Sequence, residues 1–448
     1  MADFKTAPAV SGSPADAVPF RGAWRTAWLL LAFMVVNFAD KAVLGLAGPQ
    51  IRAEFDISRV EFGAAQTAFF SLFSLAALGV AALTRRVRTT TILLVLVVLW
   101  SVAQLPMLWG AAGFAVLVAT RVLLGAAEGP AAPVALHHVH GWFPQQERSL
   151  PTAVLMVGAA VGVAVASPVL TVVIAHWGWR WAFGVMGLAG LVWAAAWARW
   201  GADGPLAPPV TRKSDSAAAA VASDGPPLRT ILRTGTFITA AFGSFAAYWW
   251  MSSLLTWTPD YLQNVMGLEL HQAGTLVGAG GLANGLVLLG HGLMSQRLAR
   301  RNGRRALPAG AGAGLLLLAS GLATAVFGLA DPVAVKVLMM LGPMALGLVM
   351  LTIATTACAQ ITPASQRGVV LGVLTFVYAL GGILAPVILG TLVDGAATVP
   401  AGYENGWLFT AGLLATAGAL VACFCRPERD AQRLGTAETG LVHATTAS

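Results

Sequence analysis

Long apolar runs alternate with short polar breaks from about residue 25 to residue 425. Twelve of these runs reach the ~20 residues that a helix needs to cross the hydrocarbon core of a bilayer. They lie at 25–48, 62–83, 91–111, 114–140, 149–175 and 179–200, and then at 235–262, 271–296, 306–329, 333–360, 366–392 and 405–425. Lipid offers no partner to a backbone amide, so a spanning segment is a helix or part of a closed barrel, and runs this long predict helices. The expected fold is all-α, a polytopic membrane protein with twelve transmembrane helices. Residues 201–233, rich in Pro, Ala, Ser and charge, break the pattern and predict a flexible linker between two six-helix bundles at 24–200 and 234–426. Residues 1–23 and 427–448 are read as tails, the first without the apolar core of a signal peptide.

The two bundles are expected to be pseudo-symmetric repeats. Arg148, Gly162 and Pro168 recur at almost the same spacing as Arg367, Gly381 and Pro386, and the breaks near 85 and near 300 are both Arg-rich. Composition supports the membrane reading, since charged residues make up only 10% of the 448, well below the ~25% usual for a soluble domain. The formal charge of +8 could suggest nucleic acid, but the arginines fall in breaks between apolar runs. Most of them lie on one side of the topology, while Arg52, Arg59, Arg180 and Lys336 lie on the other. That asymmetry predicts that both termini are cytoplasmic. The three cysteines, Cys358, Cys423 and Cys425, form no disulfide framework or metal spacing. His137, His138 and His140 could suggest a metal, but no further ligand is near them in sequence and no metal is expected. No phosphate-binding glycine loop is present, so no nucleotide or other cofactor is expected.

Four ionisable residues lie inside the apolar runs: Asp40 and Lys41 in the first, Arg121 and Glu128 in the fourth. Each costs roughly 2.5–3.5 kcal/mol at the bilayer centre, which makes it a functional candidate. Arg121 and Glu128 are seven residues apart, so they share a helix face at a separation of about 10.5 Å and each needs another partner. Asp40 and Lys41 are neighbours about 100° apart, and are not expected to face one spot. The four formal charges cancel, so a bound anion would be balanced by a proton on Asp40 or Glu128. A static ion-pair network is the structural alternative. Aromatic and polar residues at depth, namely Phe73, Tyr248, Trp249, Asn284 and Tyr378, are candidates for lining a cavity, against the plainer role of joining helices.

The first run reads Asn37-Phe38-Ala39-Asp40-Lys41-Ala42-Val43-Leu44 and ends in Gly48-Pro49. The fourth reads Arg121-Val122-Leu123-Leu124-Gly125-Ala126-Ala127-Glu128-Gly129, and is followed by Trp142-Phe143-Pro144-Gln145-Gln146-Glu147-Arg148. The seventh ends Trp257-Thr258-Pro259-Asp260-Tyr261-Leu262. From about residue 24 to 426 the chain resembles the anion:cation symporters of the major facilitator superfamily, a group that includes sugar-acid, hexuronate and phthalate carriers. The resemblance implies the major facilitator fold, with Asp40 and Glu128 handling protons and with Lys41 and Arg121 handling substrate charge. Members of the family usually carry Arg at position 41. They also carry Asp and then Gly where this chain has Thr84 and Val87, and Asp at the place of Gln296. A Tyr and a Gln are usual in the second span, where this chain has Phe73 and apolar neighbours.

Taken together, the expectation is proton-coupled uptake of a small organic carboxylate, aromatic or weakly hydroxylated, by a monomer that is not an enzyme. Its partners are that anion, protons and the lipid bilayer, with no nucleic acid. Its expected location is a bacterial inner (plasma) membrane, inferred from the Arg-, Ala- and Gly-rich composition. Efflux or exchange by the same fold and a non-transporting membrane sensor are the alternatives.

Overall fold

A computed structural model describes residues 20–84, 86–144, 147–207, 226–302, 309–363 and 365–436. The apolar runs of the sequence form helices. The first six spans are α1 (Ala23–Phe55), α2 (Arg59–Leu83), α3 (Thr89–Gln104) continued by a 3-10 turn at Leu105–Leu108, α4 (Phe114–Glu128) with α5 (Ala131–His140), α6 (Ser149–Trp177) and α7 (Trp179–Trp200). A short α8 (Leu228–Leu232) precedes α9 (Gly235–Asn264), α10 (Leu270–Asn302) and α11 (Ala309–Leu329). The tenth span is α12 (Val333–Leu341), a 3-10 turn at Pro343–Leu348 and α13 (Val349–Gln360); α14 (Arg367–Asp394) and α15 (Val399–Phe424) follow. Among the described residues, eleven stretches are long and apolar enough to span a membrane. The remaining span, the seventh (α9), has the length but carries Trp, Tyr, Ser and Thr at many positions.

Two stretches expected to be irregular are partly ordered. Residues 427–433 form α16 (Pro427–Arg433), and its Asp430 accepts hydrogen bonds from the backbone N–H and hydroxyl of Thr236 at the start of α9. A carboxylate there satisfies amides that the first helical turn leaves free. Within the expected linker, 201–207 folds back on α5 through Leu206 N–H to Gly141 C=O, and 208–225 lie outside the described residues. Asp203 bonds the N–H and hydroxyl of Thr90 at the start of α3. Burial alone would raise its pKa, but those hydrogen bonds and His138 nearby win, and the carboxyl lies below its ordinary range.

The repeat is visible in what matching residues do. Arg148 Nε donates to Phe143 C=O beyond α5, and Arg367 Nε donates to Ala359 C=O in the last turn of α13 and to Thr362 C=O just beyond it. Both arginines satisfy carbonyls left over where a helix ends. A Cβ on Gly162 would meet Val35 C=O on α1, and one on Gly381 would meet Phe245 C=O on α9, each at 2.5 Å.

The first and last sets of spans meet along α1 with α9, α2 with α14, and α6 with α10. Proline and glycine set these contacts. Pro259 has no N–H to bond Leu255 C=O one turn earlier. That carbonyl presses on Gly45 of α1, where a Cβ would lie 2.2 Å from it. Pro386 likewise frees Gly382 C=O, which accepts from Ser252 Oγ at 3.1 Å, and Thr67 Oγ1 donates to Ile383 C=O at 2.6 Å. Gly63 of α2 sits against Pro386 C=O. These seams lie toward the face that carries the α1–α2 connection. Toward the other face Gly79 of α2, Gly290 and Gly292 of α10 and Gly368 of α14 have nothing within 4 Å of a Cβ.

Gly45→Ala is therefore expected to cost about 1–3 kcal/mol, as overpacking of a tight seam does. Gly290→Ala is expected to be neutral or slightly stabilising. Thermal unfolding of the two purified variants in one detergent checks the difference.

Candidate functional site

The site is built on the middle of α1 and the end of α4. Gly125 of α4 and Gly129, just past its end, lie one turn apart, and a Cβ on either would lie under 2 Å from Phe69 C=O or Phe73 C=O of α2. Only glycine lets α4 press this close. The contact fixes the rotation of α4 and turns Arg121 and Glu128 inward. The helix path breaks at Gly129-Pro130, immediately after Glu128.

Lys41 Nζ pairs with Glu128 Oε2 at 2.7 Å and donates to Asn37 Oδ1 at 2.6 Å and Asn37 C=O at 3.2 Å. The Glu128 side chain is sealed, whereas Lys41 keeps 12% of its side-chain surface exposed. The pair thus lies at the inner end of an opening. Asp40 is fully buried, and none of the described donors reaches either of its oxygens. Its carboxyl lies within hydrogen-bonding reach of Glu128, whose Oε1 is also unpartnered. The expectation that neighbours Asp40 and Lys41 cannot face one spot is corrected: both converge on Glu128. The long lysine stem covers the angle that the helix puts between the two Cα–Cβ bonds.

Arg121 is buried and makes no hydrogen bond or ion pair among the described residues. Its guanidinium lies 5.0 Å from the centroid of the Phe183 ring. The charges of Asp40 and Glu128 reach it through the protein, without contact. Arg121 and Glu128 form no direct pair, and the glutamate has Lys41 as its partner; the expectation that Arg121 also has a partner is corrected, since among the described residues only the Phe183 ring faces it.

Aromatic side chains line one side of this cluster. Lys41 Nζ lies 4.6 Å from the Phe38 ring centroid and 6.0 Å from that of Phe73. Phe73 continues to Phe70, Phe70 to Tyr248 and Tyr248 to Tyr378, with centroids 5.0–6.0 Å apart. This row joins α1 and α2 to α9 and α14. Phe38 and Phe70 were not among the sequence candidates; their one signal is their placement one turn from Lys41 and Phe73. Trp249 points away from the row, and its indole donates to Thr410 Oγ1 of α15 at 3.2 Å. Asn284 is half-buried on α10, which packs on α6, and stands apart from the charges.

A second charged cluster closes the face that carries the α1–α2 connection, and sequence reasoning missed it. Asp260 of α9 accepts from Arg52 of α1, Arg59 of α2, Tyr403 of α15 and Asn264. Asp394, at the end of α14, pairs with Arg59 at 3.5 Å and accepts the Val60 N–H at 3.0 Å, at the start of α2. Arginines of the first spans thus hold acids of the last spans, and the whole forms a latch. The available signal was Asp260, an acid next to a helix proline inside a span.

Removing one member of the buried pair should cost more than removing both. Lys41→Gln leaves Glu128 uncompensated, a penalty of about 3–5 kcal/mol for pairs of this kind. The double variant Lys41→Gln/Glu128→Gln should recover most of that. Thermal unfolding of the single and double variants in detergent checks the order.

The sequence pattern of the Major Facilitator Superfamily matches residues 29–386. The chain is 26% identical over 407 residues to a hexuronate transporter of Bacillus subtilis, covering 88% of this chain and 92% of the relative. It is 27% identical over 409 residues to a D-galactonate transporter of Escherichia coli, covering 86% and 92%. To a probable sulfoacetate transporter of Cupriavidus necator it is 29% identical over 415 residues, covering 88% and 91%. Its fold is similar to that of a bacterial homolog of the human lysosomal transporter Spinster in an inward-facing, unoccupied conformation. That match has a TM-score of 0.75 at 18% identity and covers 94% of this chain and 99% of the other. A D-xylose–proton symporter matches with a TM-score of 0.71 at 13% identity, over 90% and 98%. The relatives are named as transporters and not as enzymes, the twelve-span all-helical fold agrees, and the chain belongs to the Major Facilitator Superfamily.

Proposed function

We propose that this transporter carries a small organic carboxylate into a bacterial cell together with protons, by alternating access. The observation that carries the reading is the Lys41–Glu128 pair with the unsatisfied Asp40 carboxyl beside it. An entering carboxylate competes with Glu128 for Lys41. Once released, Glu128 is a second buried carboxylate next to Asp40, and one proton bridging the two stabilises both. The anion and the proton therefore bind together. Arg121, with no anion of its own, supplies the remaining attraction for the substrate. The relatives named for hexuronate, galactonate and sulfoacetate all carry organic anions, which supports this choice of substrate class.

The row Phe38, Phe73, Phe70, Tyr248 and Tyr378 favours an aromatic or weakly hydroxylated acid. Ring faces offer dispersion and edge contacts, and few donors for a polyol. Trp249, bonded to Thr410, and Asn284 on α10 are not part of this row. The moving bodies are the bundles at 24–200 and 234–426, joined by 201–233, acting as a monomer in the inner membrane. Both termini and the Arg-rich connections face the cytoplasm, which places the latch outside and the opening toward the cell interior. Extracellular access then requires Asp260 and Asp394 to release Arg52 and Arg59.

Proteoliposomes with an inward proton gradient should accumulate aromatic carboxylates in preference to sugar acids, with alkalinisation of the outer medium. Glu128→Gln should retain binding but lose accumulation, a fall of at least tenfold, while counterflow persists. Equal accumulation by Glu128→Gln and wild type would contradict the assignment of Glu128. Equal uptake of a polyhydroxylated sugar acid would contradict the aromatic preference.

A further inference from the structure

The chain's 15 Trp and four Tyr all fall among the described residues, and they are divided unevenly. Five tryptophans are exposed: Trp28, Trp109, Trp177, Trp181 and Trp200. All five belong to the first six spans. Trp249, Trp250, Trp257 and Trp407 of the later spans are buried, as are Tyr248, Tyr261 and Tyr403, while Tyr378 is half-buried against Tyr248. The large hydrophobic side chains that the later spans do expose are Leu, Val, Ile, Met and Phe, with no Trp or Tyr among them.

The five exposed tryptophans form two bands. Trp177 and Trp181 flank the turn between α6 and α7, and Arg180 ties that turn to the Trp109 loop through Met107 C=O, Gly110 C=O and Ala112 C=O. Trp28 and Trp200 lie at the opposite face, where Arg25 donates to Trp200 C=O. Trp181 and Trp200 are nineteen residues apart on one helix, about 28 Å at 1.5 Å per residue, against a hydrocarbon core of about 30 Å. An indole exposed at each of those levels fits the lipid headgroup boundary, with its ring toward the chains and its N–H toward water. The later spans expose no tryptophan or tyrosine at either level. Lys336, the basic residue there, is held inward by Tyr261 Oη, Phe327 C=O and Gly328 C=O.

We propose that the first six spans are fixed in the bilayer by tryptophan bands at both interfaces, and that the last six tilt during the transport cycle. The proposal rests on the alternating-access reading. It assigns a stationary and a moving half, which pseudo-symmetry alone does not. Moving a tryptophan-banded half would drag indoles out of the boundary at both faces. Moving a Leu- and Val-faced half exchanges one apolar depth for another.

The test uses full-length protein in vesicles of phosphatidylcholine and phosphatidylglycerol, in a Cys423→Ser background, since Cys358 and Cys425 are buried. Nitroxides at Leu188→Cys on α7 and Leu322→Cys on α11 report depth through collision with oxygen and with a polar nickel chelate. Asp260→Asn breaks the latch, and the reaction of Thr67→Cys with an impermeant maleimide scores opening of the α2–α14 seam. With the seam open, the label at 322 should shift in depth and the label at 188 should not. Replacing either tryptophan band by leucine (Trp28→Leu/Trp200→Leu, or Trp109→Leu/Trp177→Leu/Trp181→Leu) should make the label at 188 shift as well. A shift at 188 equal to that at 322 with all five tryptophans present would overturn the proposal. An open seam with neither label displaced would sink the rocking reading, and this inference with it.

Discussion

A charge taken out of water must be matched, and in this protein that constraint organises everything around α1 and α4. Lys41 and Glu128 are matched to each other. Asp40 is not matched by any described donor, and Arg121 is held only by a ring face. Continuum and mutational arguments agree that a buried pair is weak evidence for stability, because the desolvation penalty rivals the Coulombic gain. Charges left this incompletely satisfied make sense as a site that waits for an anion and a proton. The glycines that let α4 press on α2, and the helix break after Glu128, place the acid where the lysine stem can reach it.

The two charged clusters divide the work. One lies at mid-depth and is partly open to solvent through Lys41; the other seals a single face through Arg52, Arg59, Asp260, Asp394 and Tyr403. The seams between halves follow the helix prolines. Pro259 and Pro386 each free a carbonyl, and a glycine or a hydroxyl on the neighbouring helix accommodates it. Contacts of this kind are tight and not covalent, which suits surfaces that must part and re-form.

Much of the fold was legible in the sequence, because lipid imposes one rule on every span. Length and apolarity located the helices, and the spacing of Arg148 and Arg367 located the repeat. The intramembrane charges were legible for the same reason, since Asp40, Lys41, Arg121 and Glu128 stand out from apolar surroundings. Their partners were not. Simple helix angles misplaced Lys41, whose flexible stem spans the gap to Glu128. The latch was hidden because Arg52 and Arg59 look like ordinary loop charges, and Asp260 meets them across more than 200 residues of chain. Trp249 looked like its neighbour Tyr248, yet adjacent residues on a helix face different ways, and its indole found Thr410 instead.

The central claim is that anion and proton bind as one event at Lys41, Glu128 and Asp40. The most direct measurement is calorimetric binding of a transported acid to purified protein near neutral pH, in a series of buffers of differing ionisation enthalpy. The account predicts that a proton is taken up with the anion by wild type, and that this uptake is lost in Glu128→Gln while the anion still binds. An apparent enthalpy independent of the buffer in wild type, with affinity unchanged by pH, would contradict it.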